Sequence, residues 1–125
     1  MVVNSGIRSS HRVVYHEERN SLILFGGGFA QAVRAEGVIW EWNEGVWKAI
    51  DGNVRAGTSE PEICYDHGRD RMVIFGGWDA SSNYRGETWE WQDAGLVLVD
   101  SSGPSARAGH VFAYDPLRRT CLLFG

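Results

Sequence analysis

At 125 residues and a formal charge of −4, with no long run of either sign, the chain has the length of one ordinary domain and a surface poorly suited to counterion-releasing contacts with nucleic acid. No apolar run approaches the ~20 residues of a membrane span. The N-terminal Met1-Val2-Val3-Asn4-Ser5-Gly6 lacks the charged and apolar regions of a secretory signal, which leaves the compartment open, a secreted or periplasmic parent included.

Taken in chain order, four strand-like runs come first, at 12–15, 22–25, 38–42 and 46–50. Four more follow at 62–65, 72–75, 87–91 and 96–99, and a last pair at 111–114 and 121–124. All are rich in β-branched and aromatic residues and are bounded by Gly, Asp, Asn or Ser. No segment carries a 3.6-residue apolar period long enough for a helix, so the fold class is all-β. Five-residue connectors at 16–20, 66–70 and 115–119 join the first strand of each set to the second. An aspartate opening such a turn, as in Asp66 and Asp115, caps it by accepting a backbone N–H. Tight hairpins at 43–45 and 92–95 carry Gly45 and Gly95 for positive φ.

The sets are copies of one another. Tyr15, Tyr65 and Tyr114 stand 50 and 49 residues apart, and Phe25, Phe75 and Phe124 keep the same offsets. Arg19, Arg69 and Arg118 do likewise, and Trp40-Glu41-Trp42 returns as Trp89-Glu90-Trp91. A period near 50 implies stacked supersecondary units, none of which buries its apolar face alone. Four antiparallel strands per unit is the make-up of a propeller blade. The third copy stops at Phe124-Gly125, where the others run on as Phe25-Gly26-Gly27 and Phe75-Gly76-Gly77.

The apolar strand closing in Gly76-Gly77, followed by Tyr84 and then by Trp91 with six residues between, resembles the kelch repeat. The first copy keeps Gly26, Gly27 and Trp42 but has Ala35 in the tyrosine's place. The His-x-x-x-Tyr-Asp-x-x-Arg and Thr-Trp-Glu-Trp patterns are similar to those of bacterial kelch-like propellers. The resemblance covers essentially the whole chain and implies a partial β-propeller. Its antiparallel kelch blades would be two full ones at about 7–52 and 55–102, and a half blade at about 105–125. It further implies a fragment of a larger ring, whose other blades come from a parent chain or by self-association. The isolated chain is then expected to be insoluble, associating or poorly folded, because open blade faces and strand edges aggregate.

A residue that recurs in every copy reads as architecture. That assigns Trp40, Trp42, Trp47, Trp89 and Trp91 to blade packing, and Gly26, Gly27, Gly76 and Gly77 to sharp turns with close backbone approach. Tyr84 belongs with them as part of the repeat motif. Glu41 and Glu90 are expected to pair with recurring arginines such as Arg19 or Arg69. The pairs Arg69/Arg71 and Arg118/Arg119 read as solvated turn ends. His11 and His110 hold equivalent places, which suggests a repeated structural hydrogen bond rather than a metal ligand; Pro61 interrupts the series. Cys64 and Cys121 stand where other copies place apolar side chains and read as buried thiols, with a cross-link the lesser expectation. No metal or other cofactor is expected, since phosphate-loop, nucleophile-elbow and metal-ligand spacings are all missing.

The residues that break the repeat are the functional candidates. Trp78 falls outside the pattern, with Gly28 as its counterpart, in a long loop with Asp79, Asn83 and Arg85. The matching first loop carries Phe29, Gln31 and Arg34. Aromatic, amide and arginine groups on irregular loops of a rigid scaffold suit recognition, and loop filler is the equal alternative for Trp78. Kelch-like propellers mostly bind proteins or carbohydrates, so the resemblance implies a non-enzymatic interaction module with a protein or glycan partner. The other reading it carries is a fragment of a sugar-acting enzyme of the galactose-oxidase or sialic-acid-epimerase kind.

Overall fold

A computed structural model describes residues 9–28, 38–51, 59–79, 81–92 and 95–125. Alternating apolar residues between Gly- and Asp-rich turns give ten strands. They are β1 (Ser9–His16), β2 (Ser21–Gly28), β3 (Ile39–Asn43), β4 (Val46–Asp51), β5 (Glu62–Asp66), β6 (Arg71–Phe75), β7 (Thr88–Gln92), β8 (Gly95–Asp100), β9 (Val111–Asp115) and β10 (Thr120–Phe124). Each falls within a few residues of a run expected from sequence, and no helix occurs among the described residues. The strands form three antiparallel sheets, β1-β2-β3-β4, β5-β6-β7-β8 and β10-β9, each a blade-like meander in sequence order. Register slips recur at equivalent places, between Ile39 and Trp40 and between Thr88 and Trp89.

The registers assign two faces to every sheet, because side chains directly opposite one another share a face. In the first sheet Val14, Ile23 and Glu41 lie side by side, as do Arg12, Phe25 and Ile39. Tyr15, Leu22 and Trp42 lie on the reverse. In the second sheet Tyr65, Met72 and Trp91 share one face with Ile63, Ile74 and Trp89, while Cys64, Val73 and Glu90 occupy the other. The main core forms where the Ile23–Phe25–Ile39 face meets the face carrying Ile63, Met72, Ile74 and Trp91. Val14, Ile50, Trp89 and Leu96 close around it. The opposite face of the second sheet meets β9 and β10, and β5 lies against both β1 and β9. One rule thus governs both junctions: the Phe25 or Phe75 face of one sheet packs on the face of the next that carries its first-strand tyrosine, Tyr65 or Tyr114.

The turns hold by the expected chemistry. Asp66 Oδ1 accepts from Gly68 N (3.0 Å) and Arg69 N (3.2 Å), and Asp115 Oδ1 from Leu117 N (2.9 Å) and Arg118 N (3.2 Å). The closing residue of each turn, Asn20, Asp70 and Arg119, takes positive φ. Gly77, at φ +90°, is obligatory: a Cβ there would stand 2.7 Å from the Ser59 carbonyl oxygen.

The charges between the tryptophans are paired. Arg19 donates from Nε (2.8 Å) and Nη2 (3.1 Å) to Glu41, which also accepts from Ser21 Oγ (2.8 Å). The Arg19 hydrogen bond, against the cost of burial, holds the Glu41 carboxyl below the usual range. Glu90 is 5% exposed and binds Arg69 Nη1 (2.6 Å) and Arg71 Nη1 (2.9 Å). Arg69 and Arg71 are therefore anchors for a buried carboxylate rather than simple solvated turn ends. A single buried charge must find such partners, and two guanidiniums reached from solvent satisfy it.

Two expectations are corrected. Cys64 on β5 and Cys121 on β10 form a disulfide, with Cα atoms 6.3 Å apart, where buried thiols had been expected. They sit on strands of neighbouring sheets whose facing sides are pressed together, a relation that alignment within one repeat does not reveal. The repeated histidine hydrogen bond is also absent at His110: both ring nitrogens lack a partner among the described residues. Its imidazole instead meets Phe75 edge-on at 5.4 Å and lies 6.4 Å from Phe112, and burial lowers its pKa.

Candidate functional site

The loop after β6 is built outward from its glycines. Gly76 and Gly77, at φ +71° and +90°, swing the chain away from the sheet. Gly77 N then donates to Arg107 O (2.8 Å), and Gly77 O accepts from Arg85 N (2.9 Å). Trp78 pairs with Ser59 through two backbone hydrogen bonds, of 2.7 and 3.2 Å, and forms a bridge to Tyr84. Beyond it, Asp79 organises the tip. Its Oδ1 accepts from Ser81 N and Asn83 N (both 2.9 Å), and its backbone pairs with Asn83 and Ser82. The backbone N–H of Asn83 above all keeps the Asp79 carboxyl ionised below its ordinary pKa. Ser82 takes φ +61° to close the turn.

This folding brings two aromatic rings together. Trp78 and Tyr84 lie 3.9 Å apart between centroids, tilted by 31°. Trp78 is partly buried and its indole Nε1 donates to Glu60 Oε2 at 3.4 Å. Tyr84 is 53% exposed, so it presents the outer face of the pair. Arg85 grips Glu87 with two hydrogen bonds (3.1 and 2.5 Å) and reaches Asp79 at 3.5 Å. The loop thus carries an exposed ring stacked on Trp78, whose indole holds Glu60, and an Arg85 guanidinium that ties Asp79 to Glu87. An exposed tyrosine ring of this kind is a platform that can cover the apolar face of a ligand.

The structure thus gathers Trp78, Asp79, Asn83 and Arg85 into one self-bonded loop. Phe29, Gln31 and Arg34 lie outside the described residues. Tyr84 and Glu60 join the platform although the repeat reading placed Tyr84 in the motif and passed over Glu60. The available signal was Trp78 itself, since an unmatched aromatic on a rigid loop needs a neighbour to shield it. Among the described residues no cluster of three or more His, Cys, Asp or Glu could hold a metal ion. A separate cleft of about 340 Å³ opens between the second sheet and β9–β10. No protein-family model matches this sequence, and no curated protein is found to be similar to it.

Proposed function

We propose that the chain is a non-enzymatic interaction module of a kelch-like propeller, and that it recognises a carbohydrate through the Tyr84–Trp78 platform. The observation that carries this reading is the stacked pair, with Tyr84 half exposed. A sugar ring offers an apolar face to an aromatic side chain. The internal hydrogen bonds of Asp79 and the Arg85–Glu87 pair pre-organise the loop, which lowers the ordering cost of binding. The kelch-like assignment draws its support from the Gly-Gly, Tyr84 and Trp91 spacing together with the blade-like sheets.

Titration of the protein with a panel of neutral oligosaccharides, followed by calorimetry, tests the reading. Tyr84→Ala and Trp78→Ala should each abolish the binding seen, with the circular dichroism spectrum unchanged. Ligand binding that survives both substitutions in a folded protein would rule the platform out.

A further inference from the structure

The loop that carries Trp78 and Tyr84 is clasped at its base by backbone hydrogen bonds from two neighbouring segments. On one side is the segment leading into β9: Gly77 N donates to Arg107 O (2.8 Å), and Arg107 N donates to Arg85 O (3.1 Å). Gly86 packs as closely there, since a Cβ on it would stand 3.1 Å from Ala106 N. On the other side is the segment leading into β5, where Ser59 pairs with Trp78 and Glu60 N donates to Ser10 O (3.1 Å). The positions of Trp78 and Tyr84 therefore depend on how the lead-ins to β5 and β9 are seated.

His110 lies under this base. It is 3% exposed, and neither ring nitrogen has a hydrogen-bond partner among the described residues. The ring is turned toward the second sheet. It meets Phe75 edge-on, and a Cβ on Gly76 would stand 2.8 Å from its Cε1. Three charged side chains face the imidazole: Glu62 of β5 favours a proton on it, while Arg107 of the lead-in and Arg12 of β1 oppose one. Glu62 is already engaged by Arg12, whose Nε donates to it at 2.7 Å. Phe75, Gly76 and Phe112 bring no charge. Gly125 lies on the Cα side, its backbone oxygen taken by Arg107 Nη1 at 2.6 Å. A protonated ring here would be a buried cation with no acceptor for either N–H, and burial accordingly lowers the pKa. At the previous junction the equivalent place holds Pro61, which is fully buried and cannot titrate.

We propose that His110 is a pH-sensitive latch for the platform. Neutral, it packs beneath Gly76 and lets Arg107 clasp the loop; protonated, it draws in water, the lead-in lifts from Gly76 and Gly77, and the clasp opens. The clasped state holds the proton more weakly than the open one, so opening is favoured as the pH falls through 6.5, the ordinary histidine value. A ligand selective for the clasped platform loses affinity over the same range. This regulation rests on reading the loop as a carbohydrate platform, although the latch itself can be observed with no ligand present.

Hydrogen exchange of the full chain, followed by NMR and corrected for the intrinsic effect of pH, provides that test. Protection of the Gly77 and Arg107 amides should fall severalfold, by at most about tenfold, between about pH 7.5 and pH 5.5, while Ile74 in β6 keeps its protection. The fall should vanish in His110→Gln, which stays neutral. Should that variant fail to fold, the contrast between Gly77 and Ile74 in the parent still decides. Calorimetry with the panel of neutral oligosaccharides should show severalfold weaker binding at the lower pH. Protection at Gly77 and Arg107 that ignores pH, falls equally at Ile74, or falls undiminished in folded H110Q would overturn the latch. Saccharide affinity unchanged between the two pH values would overturn its control of binding. No saccharide binding at either pH, with the opening at Gly77 intact, would instead remove the platform and leave the latch.

Discussion

β6 and β10 are equivalent strands, Arg-Met-Val-Ile-Phe and Thr-Cys-Leu-Leu-Phe, yet their surroundings differ sharply. β6 runs between two sheets, so that Met72, Val73, Ile74 and Phe75 are all buried. β10 is covered on one side only, which leaves Leu122 51% and Phe124 80% exposed. The same apolar alternation therefore stabilises the fold in one place and offers a sticky surface in the other. Burial in this protein is a property of position in the stack, and composition alone does not set it.

Paired substitutions sharpen the contrast. Phe75→Ala should lower the urea-unfolding free energy by about 3–5 kcal/mol through the cavity it leaves, while Phe124→Ala should change it by less than about 0.5 kcal/mol. Equal losses at the two positions would break the comparison. The disulfide ties the exposed pair of strands to the buried sheet across 57 residues. Cys121→Ser should cost about 2–4 kcal/mol, and under reducing conditions hydrogen exchange should quicken in β9–β10 before it does in β6. Exchange that quickened in both together would mean that the third sheet is not held mainly by this bond.

Smaller effects probe the buried polar groups at the junction of the second sheet with β9–β10. Glu90→Gln should destabilise by about 1–3 kcal/mol, because the arginines lose a charged acceptor while the amide keeps the shape. Denaturant titration of Arg69→Ala alone should show a smaller loss, since Arg71 still reaches Glu90. The mildest signature is that of His110, which packs on Phe75 with Glu62, Arg107 and Arg12 nearby. Its folded-state pKa lies below the ordinary 6.5, so the unfolded chain takes up the proton first as pH falls. Stability from this group is present above about pH 6.5 and is lost as the pH drops toward the lower folded-state value. Melting temperature should therefore decline between pH 7 and pH 5 in the parent and decline less in His110→Leu. An identical pH slope in the two proteins would remove His110 from the account.

Much of this architecture is readable from residues close together in sequence. Strand positions follow from two-residue alternation between turn formers, and the Asp66 and Asp115 caps follow from local hydrogen-bond reach. The Arg19–Glu41 and Arg69–Glu90 pairs could be anticipated because a buried carboxylate needs a cation and the repeat supplied one in register. Other features had no local signal. Ser10, Glu60 and Gly109 occupy the same left-handed position of the repeat, within the start of β1 and just ahead of β5 and β9, although only glycine advertises that conformation. The Cys64–Cys121 bond and the stacking of Tyr84 on Trp78 depend on where separate segments meet. The candidate platform was legible in part: the loop could be named, but its exposed ring and the Glu60 contact of Trp78 could not.

Period, fold class and the chemistry of turns are set along the chain, by interactions spanning a few residues or one repeat. Which of several equivalent strands becomes core, and that Cys64 and Cys121 meet, are decided by how the sheets stack. The reason is that a repeat encodes the same surface every time, whereas each copy has different neighbours. Arg69 and Arg118 are the same residue in the pattern and both clasp the aspartate that opens their turn, while in the stack Arg69 also reaches the buried Glu90.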